Sequence, residues 1–302
     1  MTEFRKLISD KIKEKRPKLS ESSVQTYVST LFNLHKHLQN VLSLQNVSSD
    51  LDFFSIEEPA IIEFLKDAPA RSRKSVLSAL FVLTEKPSYR EKMIDDCKIV
   101  NNQYKEQKKD TREQENWISL DEVKSKYDHL LNKVKSMFNQ KMVGDTKTIM
   151  DFFLIALLGG VNGLAPRRSL DMALLKIRNY DKTKDNYYKS GKLYFNQYKT
   201  SAKYGLQVVD VPTELNTIIK KWIKINSSDY MLFSSSSMPL TSSQITRMLN
   251  KIFDGKKIST DMLRHIYLTD LYKAMPSLLS MEKTASNMGH SVQTALTYVK
   301  RD

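Results

Sequence analysis

The sequence predicts a mainly α-helical chain with one small antiparallel β-sheet, divided into two domains. Three observations carry this. Ser/Thr-x-x-Glu/Gln capping patterns recur ahead of apolar residues spaced at three and four. Only one stretch, Lys192 to Val211, alternates as a pair of strands does. Between the halves, Asn101 to Glu115 (NNQYKEQKKDTREQE) is almost wholly polar and has no apolar period. With 302 residues the chain is long enough for two domains. The expected division is a helical domain over 1–100, a linker over 101–116 and a second domain over 117–302.

Taken in order, the first expected helix starts at the capping pair Ser22 and Gln25 and places Val24, Tyr27, Val28, Leu31, His35 and Leu38 on one face. Ser55 and Glu58 cap a second, containing Ile61, Ile62 and Leu65. A third runs from about Ala70 and buries Val76, Leu77, Leu80, Phe81 and Leu83. Past the polar stretch, Ser119 and Glu122 form a capping box for a helix lined by Val123, Tyr127, Leu130, Leu131, Val134 and Phe138. Asp151 to Gly160 (DFFLIALLGG) is a buried core helix. In the hairpin, Leu193 to Tyr198 is one strand, Thr200 to Gly205 the turn and Leu206 to Val211 the return. Thr213 opens a helix with Leu215, Ile218, Ile219 and Trp222 inward. A short strand at Met231 to Phe233 precedes a serine loop at 234–237. Thr241 and Gln244 cap a helix carrying Ile245, Met248, Leu249 and Ile252, and Ser259 or Thr260 caps the one carrying Arg264.

Composition narrows the function classes. Lys plus Arg is 48 against 34 Asp plus Glu, a formal net charge of +14, which suits a polyanionic partner. The single cysteine, Cys97, excludes an intrachain disulfide, and no Cys/His cluster has metal-ligand spacing. The N-terminal stretch MTEFRKLISDKIKEKRPKLS is charged throughout, without an apolar core of signal-peptide length. The most apolar run, Ile149 to Leu158, falls short of the ~20 residues a membrane helix needs. The expectation is a soluble, intracellular protein.

The chemistry concentrates near the C-terminal end of the sequence. Leu263-Arg264-His265 is followed by Met288-Gly289-His290-Ser291 and then by Tyr298. An arginine and a histidine can hold the non-bridging oxygens of a phosphodiester, and a phenol beside them can attack its phosphorus without a metal. Because a phenol has a pKa near ~10, the phosphate must be surrounded by preorganised positive charge.

This order of elements resembles the tyrosine recombinase, or phage integrase, family. The resemblance implies that Arg264 is the second catalytic arginine, His290 the late histidine and Tyr298 the nucleophile. The family's first arginine follows a hydrophobic helix and a Gly-Leu turn, matched here by Gly163-Leu164 and by Arg168-Ser169-Leu170-Asp171, with Arg167 as the rival. Of the hairpin lysines, the resemblance favours Lys199 over Lys203 as the general acid for the leaving 5′ oxygen. Two departures stand out. Asp261 occupies the place of the usual box histidine, with His265 a stand-in, and His290 to Tyr298 spans eight residues, one fewer than the commonest arrangement. The resemblance further implies a helical core-binding domain plus an α+β catalytic domain, double-stranded DNA as partner, a homotetramer on paired sites, a 3′-phosphotyrosyl intermediate, and no cofactor, neither ATP nor metal. Arg71, Arg73 and Lys74, which open a helix against its macrodipole, are the expected phosphate contacts. The context Pro166-Arg167-Arg168 is similar to integrases of large DNA viruses and mobile elements. A type IB topoisomerase-like enzyme, which usually has lysine at the place of Asp261, and an inactive DNA-binding protein of the same fold are the alternative readings.

Overall fold

A computed structural model describes residues 3–41, 50–139, 145–289 and 291–297. It is mainly helical, with one four-stranded sheet, and divides into two compact units, Met1–Lys108 with Pro276–Asp302, and Lys109–Met275.

The first unit opens with α1 (Glu3–Lys15), a helix beyond those the capping patterns predict. Its Phe4, Ile8 and Ile12 stand four residues apart in an otherwise charged stretch, and all three are buried. In α2 (Glu21–Val41) the cap is Ser20 rather than Ser22, since the Ser20 hydroxyl accepts the Ser23 N–H at 3.3 Å and its carbonyl the Val24 N–H at 3.0 Å. The expected apolar face is inward, with Val24, Val28, Leu31 and Leu38 buried. Ser55 and Glu58 form no cap. Ser55 lies inside α3 (Phe53–Ile56), whose Phe53 and Phe54 are buried, while α4 (Glu58–Leu65) starts with a proline in its first turn and Glu58 pairs with Lys86. α5 (Ala70–Thr84) begins where expected and ends at Glu85, whose φ is +62°. α6 (Pro87–Lys105) folds back along it and buries Tyr89, Asp96 and Val100. The polar stretch expected as linker thus begins inside a helix.

In the second unit, Asp110 and Glu113 form a capping box for α7 (Thr111–Asn116). The box at Ser119 is present as expected: the Glu122 N–H donates to the Ser119 hydroxyl at 3.1 Å, and the Glu122 carboxylate accepts the Ser119 N–H at 2.7 Å. It starts α8 (Leu120–Asn139). α9 (Thr146–Leu158) is the centre of this unit, with Ile149 and every residue from Phe152 to Leu158 fully buried. After α10 (Ser169–Ala173) come β1 (Leu175–Lys176), β2 (Asn186–Lys189), β3 (Lys192–Phe195), α11 (Ser201–Tyr204) and β4 (Gln207–Asp210). The strands are ordered β1-β2-β3-β4, and only the β1–β2 pair is parallel, so the sheet is mixed rather than purely antiparallel. β2 and β3 are joined by Ser190 and Gly191, both at positive φ, the two-residue turn that matches strand twist. Tyr188, Leu193 and Phe195 face the core, while Tyr187 and Tyr194 point to the other face and stack at 4.5 Å. Tyr180 extends that stack at 4.4 Å.

α12 (Thr213–Ile225) buries Leu215, Ile218, Ile219 and Trp222, and the Trp222 indole donates to the Met231 carbonyl at 3.0 Å. Met231 to Phe233 is not a strand; its neighbourhood supplies only the isolated bridges Lys176–Tyr230 and Phe233–Pro239. α13 (Ser242–Ile252) carries the Thr241–Gln244 box, and Ser259 caps α14 (Thr260–Leu271) through the Met262 N–H at 3.2 Å. α15 (Leu278–Asn287) and α16 (Val292–Thr297) belong to the first unit, where Glu282 meets Lys105 at 3.0 Å and the Leu278 N–H donates to the Gln107 side chain at 2.8 Å. Among the described residues no helix is long and apolar enough to cross a membrane.

One glycine fixes how the second unit is assembled. Gly160, at φ +74°, closes α9, and a Cβ there would lie 2.5 Å from the Tyr267 ring of α14 and 3.1 Å from Pro166. Gly160→Ala therefore combines a left-handed backbone, about 1–2 kcal/mol, with a ring overlap. Gly163→Ala, at φ +87° but with nothing nearer than 3.8 Å, carries the backbone strain alone. Urea denaturation should rank Gly160→Ala as the more damaging; equal losses would show that the Tyr267 contact is dispensable.

Candidate functional site

The residues expected to handle phosphate sit on three supports of the second unit. Arg167 and Arg168 end the connection from α9 to α10. Its turn is held by Asn162, whose side chain donates to the Ala156 carbonyl at 2.9 Å and accepts the Leu164 N–H at 3.2 Å. Lys199 and Lys203 lie in the connection between β3 and β4. Arg264 projects from α14. Gly160 touches two of these supports at once, since Pro166 lies two residues before Arg168 and Tyr267 one helical turn after Arg264.

The two adjacent arginines have different surroundings. Arg167 donates to Asp171 at 3.2 Å and to Gln207 at 2.8 Å, and its guanidinium lies 4.0 Å from the centre of the Phe195 ring and 5.2 Å from that of Tyr198. Its charge is satisfied and stacked, and it ties α10 to both strands of the hairpin. Arg168, half-buried, forms no hydrogen bond or ion pair through its guanidinium among the described residues. Asp171 is only 3% exposed, and that burial raises its pKa above the usual aspartate range, with Arg167 and then Arg168 pulling it back.

Lys199 is exposed and forms no hydrogen bond or ion pair among the described residues, whereas Lys203 lies 5.1 Å from the Tyr204 ring centre inside the single turn of α11. The loop around Lys199 is closed by the Tyr198 hydroxyl, which donates to the Gly205 carbonyl at 2.7 Å. Among the described residues the Arg264 guanidinium has one partner, Asp261, at 2.9 Å across one turn of α14, and that carboxylate is 77% exposed. Such a pair is worth less than about 1 kcal/mol and is readily exchanged for another anion. His265 points elsewhere, its Nδ1 2.7 Å from Glu113, the same glutamate that closes the α7 capping box.

In the first unit, Arg73 departs from the expected phosphate role. Its Nε lies 2.9 Å and 3.1 Å from the two oxygens of Asp96, which is 2% exposed, and its Nη1 donates to the carbonyls of Lys66 and Ala68 at 2.8 and 3.1 Å. The Asp96 hydrogen bond raises the Arg73 pKa further. This guanidinium fastens α5 to α6 and to the end of α4, which takes Arg73 out of the expected cluster. Arg71 lies 6.0 Å from the Tyr104 ring centre.

Of the late motif, Met288 ends α15, Gly289 follows at φ +72°, and the Ser291 hydroxyl accepts the Thr294 N–H at 3.1 Å to start α16. His290 and Tyr298 lie outside the described residues. Among the described residues no group of three or more His, Cys, Asp or Glu side chains could hold a metal ion.

Gly160, Tyr267 and Gln207 are not among the residues that the sequence singles out. The Gly159-Gly160 doublet is a usable signal; Tyr267 and Gln207 have none, because their partners come from other elements.

No family model matches the chain, and no curated protein matches it. Among solved structures it is similar to one described as the crystal structure of XerA recombinase, at 13% identity and a TM-score of 0.35, covering 100% of this chain and 94% of that one.

The different surroundings of the two arginines predict different responses to substitution. Arg167→Ala leaves Asp171 buried without its ion-pair partner and should cost on the order of 3 kcal/mol at neutral pH. Arg168→Ala should stay within about 0.5 kcal/mol of wild type. The Asp171 pKa is already raised in the folded state, and losing Arg167 raises it further. The Arg167 variant should therefore regain stability as pH falls and Asp171 protonates, and lose it as pH rises through the folded-state pKa. Denaturant midpoints of both variants at pH 7 and pH 5 test this, and a destabilised Arg168→Ala would contradict the division.

Proposed function

We propose that the chain cuts and rejoins double-stranded DNA as a strand-transferase of the tyrosine recombinase type. The observation that supports this best is the allocation of arginines. Arg167 and Arg73 are bound up in the fold, whereas the Arg168 guanidinium has no hydrogen-bonded partner and that of Arg264 only an exposed carboxylate, among the described residues. These are the two arginines that the motif order assigns to a phosphate. A partly buried guanidinium can offer paired N–H donors to the non-bridging oxygens.

In this reading Arg168, Arg264 and His290 stabilise the charge that develops on the phosphorus as the Tyr298 oxygen attacks it. The phenol gives up its proton to water as its oxygen bonds to phosphorus, the bond to the 5′ oxygen breaks, and Lys199 supplies the proton that this oxygen takes away. The 5′ hydroxyl of a second strand then attacks the phosphotyrosine and releases the phenol. Asp261 orients Arg264 at the place of the family's box histidine; His265, engaged with Glu113, is the weaker stand-in. The helical part of the chain clamps DNA through Arg71 and Lys74, and four copies act on paired sites inside the cell.

Three results test the reading. Tyr298→Phe should abolish covalent attachment to a nicked suicide substrate while leaving DNA affinity unchanged; an adduct mapped by mass spectrometry to Tyr272 would move the nucleophile. Lys199→Ala should slow cleavage by something like ~10²-fold or more, and sulfur at the bridging 5′ position should restore it, because a thiolate leaves without a proton. Lys203→Ala should show neither effect, and rescue confined to that variant would reassign the acid. Replacing Arg71 and Lys74 together by alanine should reduce the slope of log affinity against log salt by roughly 0.9 for each phosphate that is no longer neutralised, and an unchanged slope would remove them from the interface.

A further inference from the structure

The lysine proposed as general acid sits on an exposed loop, yet its backbone is fastened to the arginine element from below by one buried side chain. Asn186, the first residue of β2, is 1% exposed. Its Nδ2 donates to the Asp171 carbonyl at 3.0 Å and to the Gln197 carbonyl at 2.7 Å, while its Oδ1 accepts the Gln197 N–H at 2.7 Å. Both amide hydrogens and the carbonyl oxygen are therefore used. Asp171 stands three residues after Arg168, and Gln197 two residues before Lys199. Neither Gln197 bond belongs to the β2–β3 ladder, which pairs Tyr187 with Tyr194 and ends there. Asn196 adds a second fastening beside the first, donating to the Asp185 carbonyl at 2.7 Å and the Lys182 carbonyl at 3.1 Å.

We infer that Asn186 is a positioning residue that sets Lys199 in register with Arg168, so that the proton donor and the phosphate-holding arginine approach the same phosphodiester together. The inference rests on the proposed acid role of Lys199 and extends it to a residue that touches no substrate. Its physical basis is the steep distance dependence of proton transfer: the donor must come within hydrogen-bond reach of the leaving oxygen, and a misplacement of about 1 Å can cost 10²-fold. The loop running from Asn196 to Leu206, closed between Tyr198 and Gly205, is held to α10 in part by Arg167, which bonds to Asp171 and Gln207 and lies against the Phe195 and Tyr198 rings. Asn186 adds an independent tie, running from the Asp171 carbonyl to the backbone of Gln197 at the start of that loop, from a side chain that is itself buried. A side chain that merely satisfied buried backbone groups would matter equally for every substrate.

That difference defines the experiment, run with the full chain on oxygen- and sulfur-bridged suicide substrates. Asn186→Ala should bind DNA like wild type, cleave the oxygen-bridged substrate at least tenfold more slowly, and recover most of that loss on the sulfur-bridged one, as Lys199→Ala does. Comparing the two substrates within one variant cancels any fall in the folded fraction. Asn186→Ser, smaller and still polar, takes its place if the alanine variant does not fold. Equal loss on both substrates, with Lys199→Ala rescued, would reduce Asn186 to a structural role and leave the acid assignment standing. Absence of rescue in Lys199→Ala would overturn the acid assignment, and this inference with it. Amide hydrogen exchange in the Asn196–Leu206 loop should rise in the Asn186 variant, and unchanged exchange would also overturn the inference.

Discussion

The second unit depends on enclosing α9, a helix whose last two turns have no polar face. Ile149 and the residues from Phe152 to Leu158 are fully buried, and the one carboxylate, Asp151, reaches out to Lys147 at 2.8 Å. A helix apolar on all sides must be covered on all sides, and here the covering elements include those that bear the candidate site. α8 and α14 pack on it, and α13 joins them. The chain leaving it turns at Gly160 directly under Tyr267 and Pro166, so the arginine element starts from a point fixed by burial. At roughly 1.5–3 kcal/mol for each large apolar side chain buried, this helix outweighs any ion pair in the unit.

On that support the charged residues divide into two kinds. Arg167 with Asp171, and Arg73 with Asp96, are partly or fully removed from water and pinned from several directions. Breaking either pair leaves a buried carboxylate behind, so they behave as parts of the fold. Lys199 and Arg264 are held by their backbones while their charges face outward. In a chain of net charge +14 the informative quantity is the set of cations that the fold does not use internally.

How much of this can be read from sequence follows from how local each interaction is. The boxes at Ser119–Glu122 and Thr241–Gln244 are legible because both partners lie within one turn, and the buried part of α9 is legible as the apolar run from Phe152 to Leu158. Ser22 misleads because Ser20, two residues earlier, offers the same hydroxyl at the position where the backbone turns. β2 escapes notice because Tyr187 and Tyr188 are both aromatic and mask the alternation, although Ser190-Gly191 marks its hairpin. The roles of Arg73 and Arg167 are not legible at all. Asp96 lies 23 residues from Arg73 and Gln207 lies 40 from Arg167, and although Asp171 is only four residues past Arg167, it is three past Arg168, so the local pattern does not separate the arginine held in the fold from the one left open. In the site, residue types and order are readable, and the wiring beneath them is not.

The sheet edge formed by β4 bears on how copies of the protein behave in concentrated solution. β4 is an edge strand, and Val208 within it and Leu206 just before it are 47% and 52% exposed, which in a longer strand would invite a foreign chain to pair. Only four residues are extended, however, and the strand is bracketed by Gly205, at φ +65°, and by Pro212, which has no N–H to donate. A newcomer would gain a few backbone bonds at most. The edge can thus stay uncovered without becoming a seed for aggregation.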